Sequence, residues 1–407
     1  MSRLPSLAVR NVGRNRRRSA ITGLAIMVAV ILVMVLRGFI DGAGALMTAD
    51  VVEGRSGALQ IHHAGFVDNI EAVPTRLNMP FTPEVLAKIR AVPNVTGVSG
   101  RLNFNGLISN GRTQTMFVGR ALDLEHEKEA CPRTNVSVKE GGQPLEPGDG
   151  TAALVGYELG DSFDLKLGQT VSVQVTSPGG RSNALDLTVK GYSTSSFPFE
   201  NKRVITVPLA TAQALMGLEG RVTEYGVGVK DLTRLEETRR ALEAALGPEY
   251  EVHTWMELNA FVRDVINRQN FMMGAIAAVL FIIALTVIAN TMMMTVFERV
   301  REIGTLLAVG VRRAQVLALF MLEAAVLGSL AALAGAVIGR TALALIAARG
   351  IPMDLPGTSG HSMLEPTVSV RFVVGSVVVA CLGAVLASAW PAWRASRQNP
   401  VDALRSA

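Results

Sequence analysis

Four apolar runs, each long enough to cross a bilayer, divide the chain. A hydrocarbon core takes about 20 apolar residues as a helix. The first run covers residues 19–36, SAITGLAIMVAVILVMVL, and extends past Arg37 to Phe39 or Ile40. The second, 271–297, has no charge at all. The third, 314–348, is broken only by Glu323 and Arg340. The fourth is 372–393. Four membrane helices are therefore predicted at 19–40, 271–297, 314–348 and 372–393. Between them lie a segment at 1–18, an insert at 41–270, a link at 298–313, a loop at 349–371 and a tail at 394–407. The first run has a competing reading as a cleavable signal peptide. Its length, and the three spans that follow, argue for a retained helix.

The insert alternates between helical and strand patterns. GALQIHHAG (57–65) reads as a strand. TPEVLAKIRAVPNV (82–95) has a Thr cap, Pro at the first helical position and apolar residues at helical spacing. GQTVSVQVTSPGGRSNALDLTVKGY (168–192) is two alternating strands around a Pro-Gly-Gly turn. DLTRLEETRRALEAALG (231–247) is an amphipathic helix ended by Gly, and EYEVHTW is a strand. A helix between strands recurs at both ends, around a more β-rich middle. The expected fold is thus a four-helix membrane protein carrying a large α+β extracytoplasmic domain of two lobes between the first two spans. A final helix at 256–269 is expected to run on into the second span.

Charge sets the orientation. The net charge is +5 over 407 residues, but the basic residues gather at Arg3, Arg10, Arg14, Arg16, Arg17 and Arg18, in the link, and at Arg394, Arg397 and Arg405. Cytoplasmic loops carry such an excess. With four spans these three segments share one side, so both termini are expected in the cytoplasm and the insert outside. The pattern answers to topology and removes nucleic acid as the reason for the charge. The two cysteines, Cys131 and Cys381, fall in unlike environments and read as free thiols.

Catalytic signatures are missing. The sequence has no Gly-x-x-x-x-Gly-Lys-Ser phosphate loop, no His-Glu-x-x-His, no Cys-x-x-Cys and no Gly-x-Ser-x-Gly. His62 and His63 are neighbours on a strand, point to opposite faces and form no single metal site; no metal is expected. They read as ordinary strand residues near a lobe surface. Glu323 is the lone acid inside a span. Such a charge costs roughly 3 kcal/mol on insertion scales. Pairing with an Arg of the link and a role in ion or proton transport are both open. Gly335 and Gly339 allow close helix approach, within the bundle or between copies.

The link is written as an amphipathic helix. Val300, Ile303, Leu306, Leu307 and Val311 fall at helical spacing, while Glu298, Arg299, Arg301, Glu302, Arg312 and Arg313 crowd its ends. Gly304 and Gly310 each cost about 1 kcal/mol in a helix relative to Ala, and offer bare surface for close contact. The segment reads as a membrane-surface helix or as a knob that fits another protein's groove.

FERVREIGTLLAVGVRRAQVLALFMLEAAVLG (297–328) resembles the FtsX-like permeases of ABC exporters, the MacB-type or type VII transporters. That family's coupling helix carries Glu-Arg-x-x-Glu-Ile-Gly-x-x-x-Ala-x-Gly, then a Phe, an acid and a Gly. Here these are Glu298, Arg299, Glu302, Ile303, Gly304, Ala308, Gly310, Phe320, Glu323 and Gly328. The tail WPAWRASRQNPVDALRS and the opening LAVRNVGRNRRRSAITGLAI, a basic helix leading into the first span, are similar too. GALQIHHAGF, LVGYELGDSFDLKLGQTVSV and RVITVPLATAQALMGLEGRVTEYGVGVKD resemble the lipoprotein-releasing branch, of LolC and LolE type.

The resemblance implies a non-catalytic permease subunit in the inner membrane of a Gram-negative bacterium. Two copies of a separate ATPase would bind ATP and Mg, so no cofactor is expected on this chain. A second permease, identical or homologous, and a periplasmic carrier or adaptor would complete the assembly. Glu298, Arg299, Arg301, Glu302, Ile303, Gly304, Leu307, Gly310 and Arg312 would couple to the ATPase. ATP-driven motion would pass to the insert by mechanotransmission and extract lipoproteins or another amphiphile. Acyl chains would enter between the first two spans, near Val33, Leu36, Phe39, Ile40, Asn270, Met273 and Ala277. Two alternatives stand beside this: an FtsX-like signalling permease controlling a hydrolase or sensor, and MacB-like efflux of small molecules or peptides.

Overall fold

The computed structural model describes residues 16–72, 74–134, 138–195, 197–353 and 362–397. The expected basic segment at 1–18 and the end of the tail lie mostly outside these residues. The chain forms two compact units. One is built from the chain up to Gly44, Val265–Ile351 and the part from Leu364 onward. The other is Ala45–Asp264 with Pro352–Met363.

The insert contains eleven strands among its described residues. They are β1 (Leu59–His63), β2 (Met79–Pro80), β3 (Val95–Ser109), β4 (Gln114–Leu122), β5 (Ala152–Gly156), β6 (Thr170–Thr176), β7 (Ser182–Ser193), β8 (Val204–Pro208), β9 (Arg221–Val222), β10 (Glu224–Val229) and β11 (Tyr250–Thr254). Nine of these form one sheet, in the order β11-β1-β10-β3-β4-β8-β5-β7-β6.

The sheet resolves into two lobes that share β3. In the first, β1, the helix Pro83–Arg90, β3, β10, the helix Leu235–Leu246 and β11 follow one another, and the strands lie antiparallel as β11-β1-β10-β3. This is a split β-α-β arrangement. In the second, β3 outruns β10, and its far end pairs with β6 from Gly106↔Val175 to Ser109↔Ser172. That pairing closes β3, β4, β8, β5, β7 and β6 into a ring. Strict alternation in β6 puts Val171, Val173 and Val175 inside and leaves Thr170, Ser172, Gln174 and Thr176 outside, as a half-buried strand requires. Phe104 and Phe117 meet edge-on at 5.9 Å in the ring's core.

Local chemistry sets the lobe's helices. Thr82 and Pro83 open the first helix as the sequence predicts. The second is preceded by Asp231, whose carboxylate accepts the Thr233 N–H at 2.9 Å, and ends at Gly247. The expected continuous helix from 256 into the second span is interrupted. A single turn, Trp255–Leu258, is closed by a Thr254–Glu257 capping box. Asn259 then leaves the helical region while its side chain donates to the Trp255 carbonyl at 2.8 Å. Asn competes with the helix for backbone groups in this way.

Among the described residues, four helices are long and apolar enough to cross a membrane: Arg16–Val51, Ala260–Glu298, Arg313–Arg349 and Val370–Ser396. They exceed the predicted spans because hydrophobicity marks only the stretch in hydrocarbon. Polar turns continue them, supported for example by the Arg37–Asp41 pair at 2.9 Å, four residues apart. Small residues let the helices close in. A Cβ on Gly335 would meet the Met27 carbonyl oxygen at 2.8 Å, and one on Gly328 would meet Ala384 Cβ at 2.6 Å. The Gly335/Gly339 stripe therefore seats the first membrane helix within the bundle. Ile26, Val30, Met34, Ile288, Met292, Val316 and Phe320 fill the core between the helices.

Candidate functional site

The link is a helix of nine residues, Val300–Ala308, flanked by turns rather than filling 298–313. Its end is set by Gly310 at φ +97°. The Val311 N–H donates to the Leu306 carbonyl at 3.0 Å and the Gly310 N–H to Leu307 at 3.1 Å. This is the paired bonding of a Schellman cap, for which Gly is preferred. Gly310 is thus needed for its backbone, and nothing lies within 4 Å of its Cα substituent position. Gly304 is buried instead, beside Ile303, which is 2% exposed and belongs to the membrane core. The sequence reading offered both glycines as contact surface for a partner. The structure gives one to a turn and turns the other inward.

The nine residues expected to couple to an ATPase therefore divide. Arg299, Ile303 and Gly304 face inward, and Leu307 is half-buried against the core. Glu298, Arg301, Glu302, Gly310 and Arg312 are exposed. Leu306 and Val309, which the sequence reading left out, stand exposed beside them, Val309 at 80%. The family motif names no residue type at either position.

Arg299 opens the link helix as its N-terminal flanking residue. Its Nη1 lies 3.4 Å from Oε2 of Glu323, and both side chains are buried. Glu323 is therefore paired with an Arg of the link, one of the two readings left open. Its surroundings are polar for a membrane helix: Ser19, Thr22, Thr291 and Thr295 line a small cavity beside it, about 30 Å³. That volume is enough for a water. Thr22 Oγ1 and Arg299 Nε and Nη2 are buried with no hydrogen-bond partner among the described residues. Nearby, Arg394 lies 5.9 Å from the Phe297 ring and 5.8 Å from Trp390, and Arg397 lies 4.4 Å from Trp393. Trp beside Arg is the usual furniture of a membrane interface.

A larger apolar cavity, about 550 Å³, opens among the first, second and fourth membrane helices and shares Ile26 and Ile288 with the small one. Of the seven residues expected at a lipid path, Val33 and Ala277 line it. Leu36, Phe39 and Ile40 are half-buried elsewhere, and Met273 is 3% exposed. Asn270 accepts a hydrogen bond from Arg37 Nη1 at 2.9 Å. The fourth helix, which the sequence reading did not include, supplies Phe372 and Val379.

Within the insert, Arg101 is fully buried and heads a polar network. It bonds Glu127 at 2.7 Å, Glu224 at 2.8 Å, the Ser56 carbonyl at 3.0 Å and Cys131 Sγ at 3.0 Å. Gly226 makes room for it, since a Cβ there would sit 2.6 Å from the guanidinium. Burial opposes ionisation of Glu224, but the His62 ring, 3.7 Å away, and the Arg101 charge outweigh it and hold the carboxyl well below the usual range. Burial pushes the Cys131 thiol up to about 11, so it is no nucleophile at neutral pH. His62 is 1% exposed and stacks on Phe66 at 4.8 Å. The sequence reading placed it near a surface; it is instead a core residue of this network.

A family model described as MacB-like periplasmic core domain matches residues 19–245, more than half of the chain, and one described as FtsX-like permease C-terminal matches 274–400. This chain belongs to the FtsX/MacB-type ABC transporter permeases. An uncharacterized ABC transporter permease of Methanocaldococcus jannaschii is 23% identical over 98% of this chain and 97% of its own length. The lipoprotein-releasing system transmembrane protein LolC of Xylella fastidiosa is 23% identical over 77% of this chain and 78% of its own. The macrolide export ATP-binding/permease protein MacB of Nitrobacter winogradskyi is 31% identical over 50% of this chain, which covers 30% of that relative.

In this ABC transporter permease, then, four helices make a multi-pass membrane unit, and the two-lobed insert is its MacB-like core domain. The signal that found the site was the charged link. Arg101 and its partners carried no such signal, because buried ion networks are assembled from distant positions on β3, β10 and the turn Glu127–Ala130.

Proposed function

We propose that this permease is a non-catalytic subunit driven by a separate ABC ATPase, two copies of which bind ATP and Mg and dock on the link helices of two permease chains, identical or homologous. The observation that carries the proposal is the division of the link helix. Ile303 and the Arg299–Glu323 pair fix one face into the bundle, while Arg301, Glu302, Leu306, Val309 and Arg312 remain exposed. A push on the exposed face moves the bundle rather than bending a loop. Motion then passes along the Arg16–Val51 and Ala260–Glu298 helices to the insert.

The cargo in this reading is an amphiphile, a lipoprotein first, taken from the inner membrane of a Gram-negative cell and handed to a periplasmic carrier or adaptor. Both termini face the cytoplasm. The likeness to a lipoprotein-releasing LolC supports this cargo. Charge reversal of exposed Glu302, E302R, tests the docking. The variant is expected to insert normally but to lose co-purification with the ATPase, or to lose ATP-dependent release of lipoprotein from spheroplasts. An E302R chain that keeps both rejects the proposal.

A further inference from the structure

The cavity among the first, second and fourth membrane helices has a charged mouth as well as an apolar interior. Val33, Phe281, Ile288, Phe372, Val379 and their neighbours give it walls of hydrocarbon. Its volume, about 550 Å³, falls within the roughly 300–1,000 Å³ typical of ligand sites. One end is different. Exposed Arg371 lines it, next to Ser369. Ser369 caps the fourth helix, its Oγ accepting the Phe372 N–H at 3.2 Å, so the positive end of a 27-residue helix opens there. Arg37 stands 5.6 Å from the Phe372 ring, and its charge is met by Asp41. Arg371 has no ion-pair partner among the described residues and leaves the mouth net positive.

We infer that this cavity holds the acyl chain of an anionic phospholipid of the outer-facing leaflet, with the headgroup phosphate at Arg371 and the first turn of the fourth helix. An apolar slot alone accepts any hydrocarbon; the unbalanced arginine and the helix end select a negative head. The site involves the fourth helix and so differs from a path between the first two. It is independent of which cargo the transporter moves. A bound lipid there wedges the first and second helices apart at their insert ends and fixes the spacing of the two helices that lead out of the membrane.

Phe281→Trp, in a chain whose other tryptophans are replaced by Phe, reports on the cavity. The full chain is reconstituted in nanodiscs of phosphatidylcholine carrying brominated phosphatidylglycerol or brominated phosphatidylcholine. The glycerol lipid is expected to quench at a several-fold lower mole fraction. R371Q, a change at an exposed side chain, is expected to make the two lipids equal. Gly375→Leu with Ala380→Leu is expected to protect the reporter from both. Equal quenching by the two lipids in the parent chain, or a preference that survives R371Q, overturns the inference. So does an unquenched reporter in the parent chain, which shows that a second copy or other protein covers the slot.

Discussion

Nη1 of Arg299 stands 3.4 Å from Oε2 of Glu323, which ties the residue opening the link helix to the acid of the third membrane helix. Removing one member of a buried pair strands the other charge and costs about 3–5 kcal/mol. R299Q and E323Q are each expected to lower the unfolding temperature of the detergent-solubilised chain. The double variant is expected to be less damaged than the sum of the two. Strictly additive losses in this double-mutant cycle reject a direct coupling.

Gly310 ends the link helix at φ +97°. An L-residue there carries a strain of about 1–3 kcal/mol. G310A is expected to lower ATPase-coupled transport while the fold of the insert, read by near-UV circular dichroism, stays unchanged. G310N is expected to recover part of the loss, because Asn tolerates this conformation better. Equal activity of G310A and the parent contradicts the assigned cap.

The Met27 carbonyl lies 2.8 Å from where a Gly335 side chain would begin, and it is backbone, which cannot step aside cheaply. G335L is expected to force the first and third helices apart and to cut folded yield in membranes. Gly274, with open space around it, serves as control. G274L is expected to behave like the parent. Matching yields for the two leucine variants dismiss the packing claim.

Glu224 is held ionised by His62 and Arg101 below its ordinary value of 4.5. A carboxyl whose folded pKa is depressed stabilises the fold above its unfolded pKa, and that contribution is lost as pH falls through the folded one. Unfolding temperature is therefore expected to hold from neutral pH to about pH 4.5 and to drop below it. E224Q, less stable by about 3 kcal/mol at pH 7, is expected to show a weaker acid dependence. An acid limb identical in both chains removes Glu224 from the account.

The spans and the link were legible because hydrocarbon imposes length and charge imposes sidedness, and both act on local sequence. Strands around the Pro-Gly-Gly turn and the helix opened by Pro83 were legible for the same local reason. The closure of β3 on β6 was not, since Gly106 and Val175 are distant in sequence and meet only through the ring. Arg101 looked like any strand arginine until Ser99, Glu127 and Glu224 were brought around it. In the link, periodicity found the helix, and the structure divides its apolar residues. Ile303 is buried in the bundle core, while Leu306 and Val309 stand outside it.

A docking surface at Leu306 and Val309 is the central claim, and cysteine cross-linking in intact membranes tests it most directly. With the native cysteines replaced, Leu306→Cys and Val309→Cys are each scanned with a short thiol-to-amine cross-linker against the co-expressed ATPase, with inward-facing Ile303→Cys as the control. Adducts with the ATPase at 306 and 309, rising or falling with ATP, and none at 303, are predicted. Adducts absent at 306 and 309 in a chain that still transports, or equally strong at 303, contradict it.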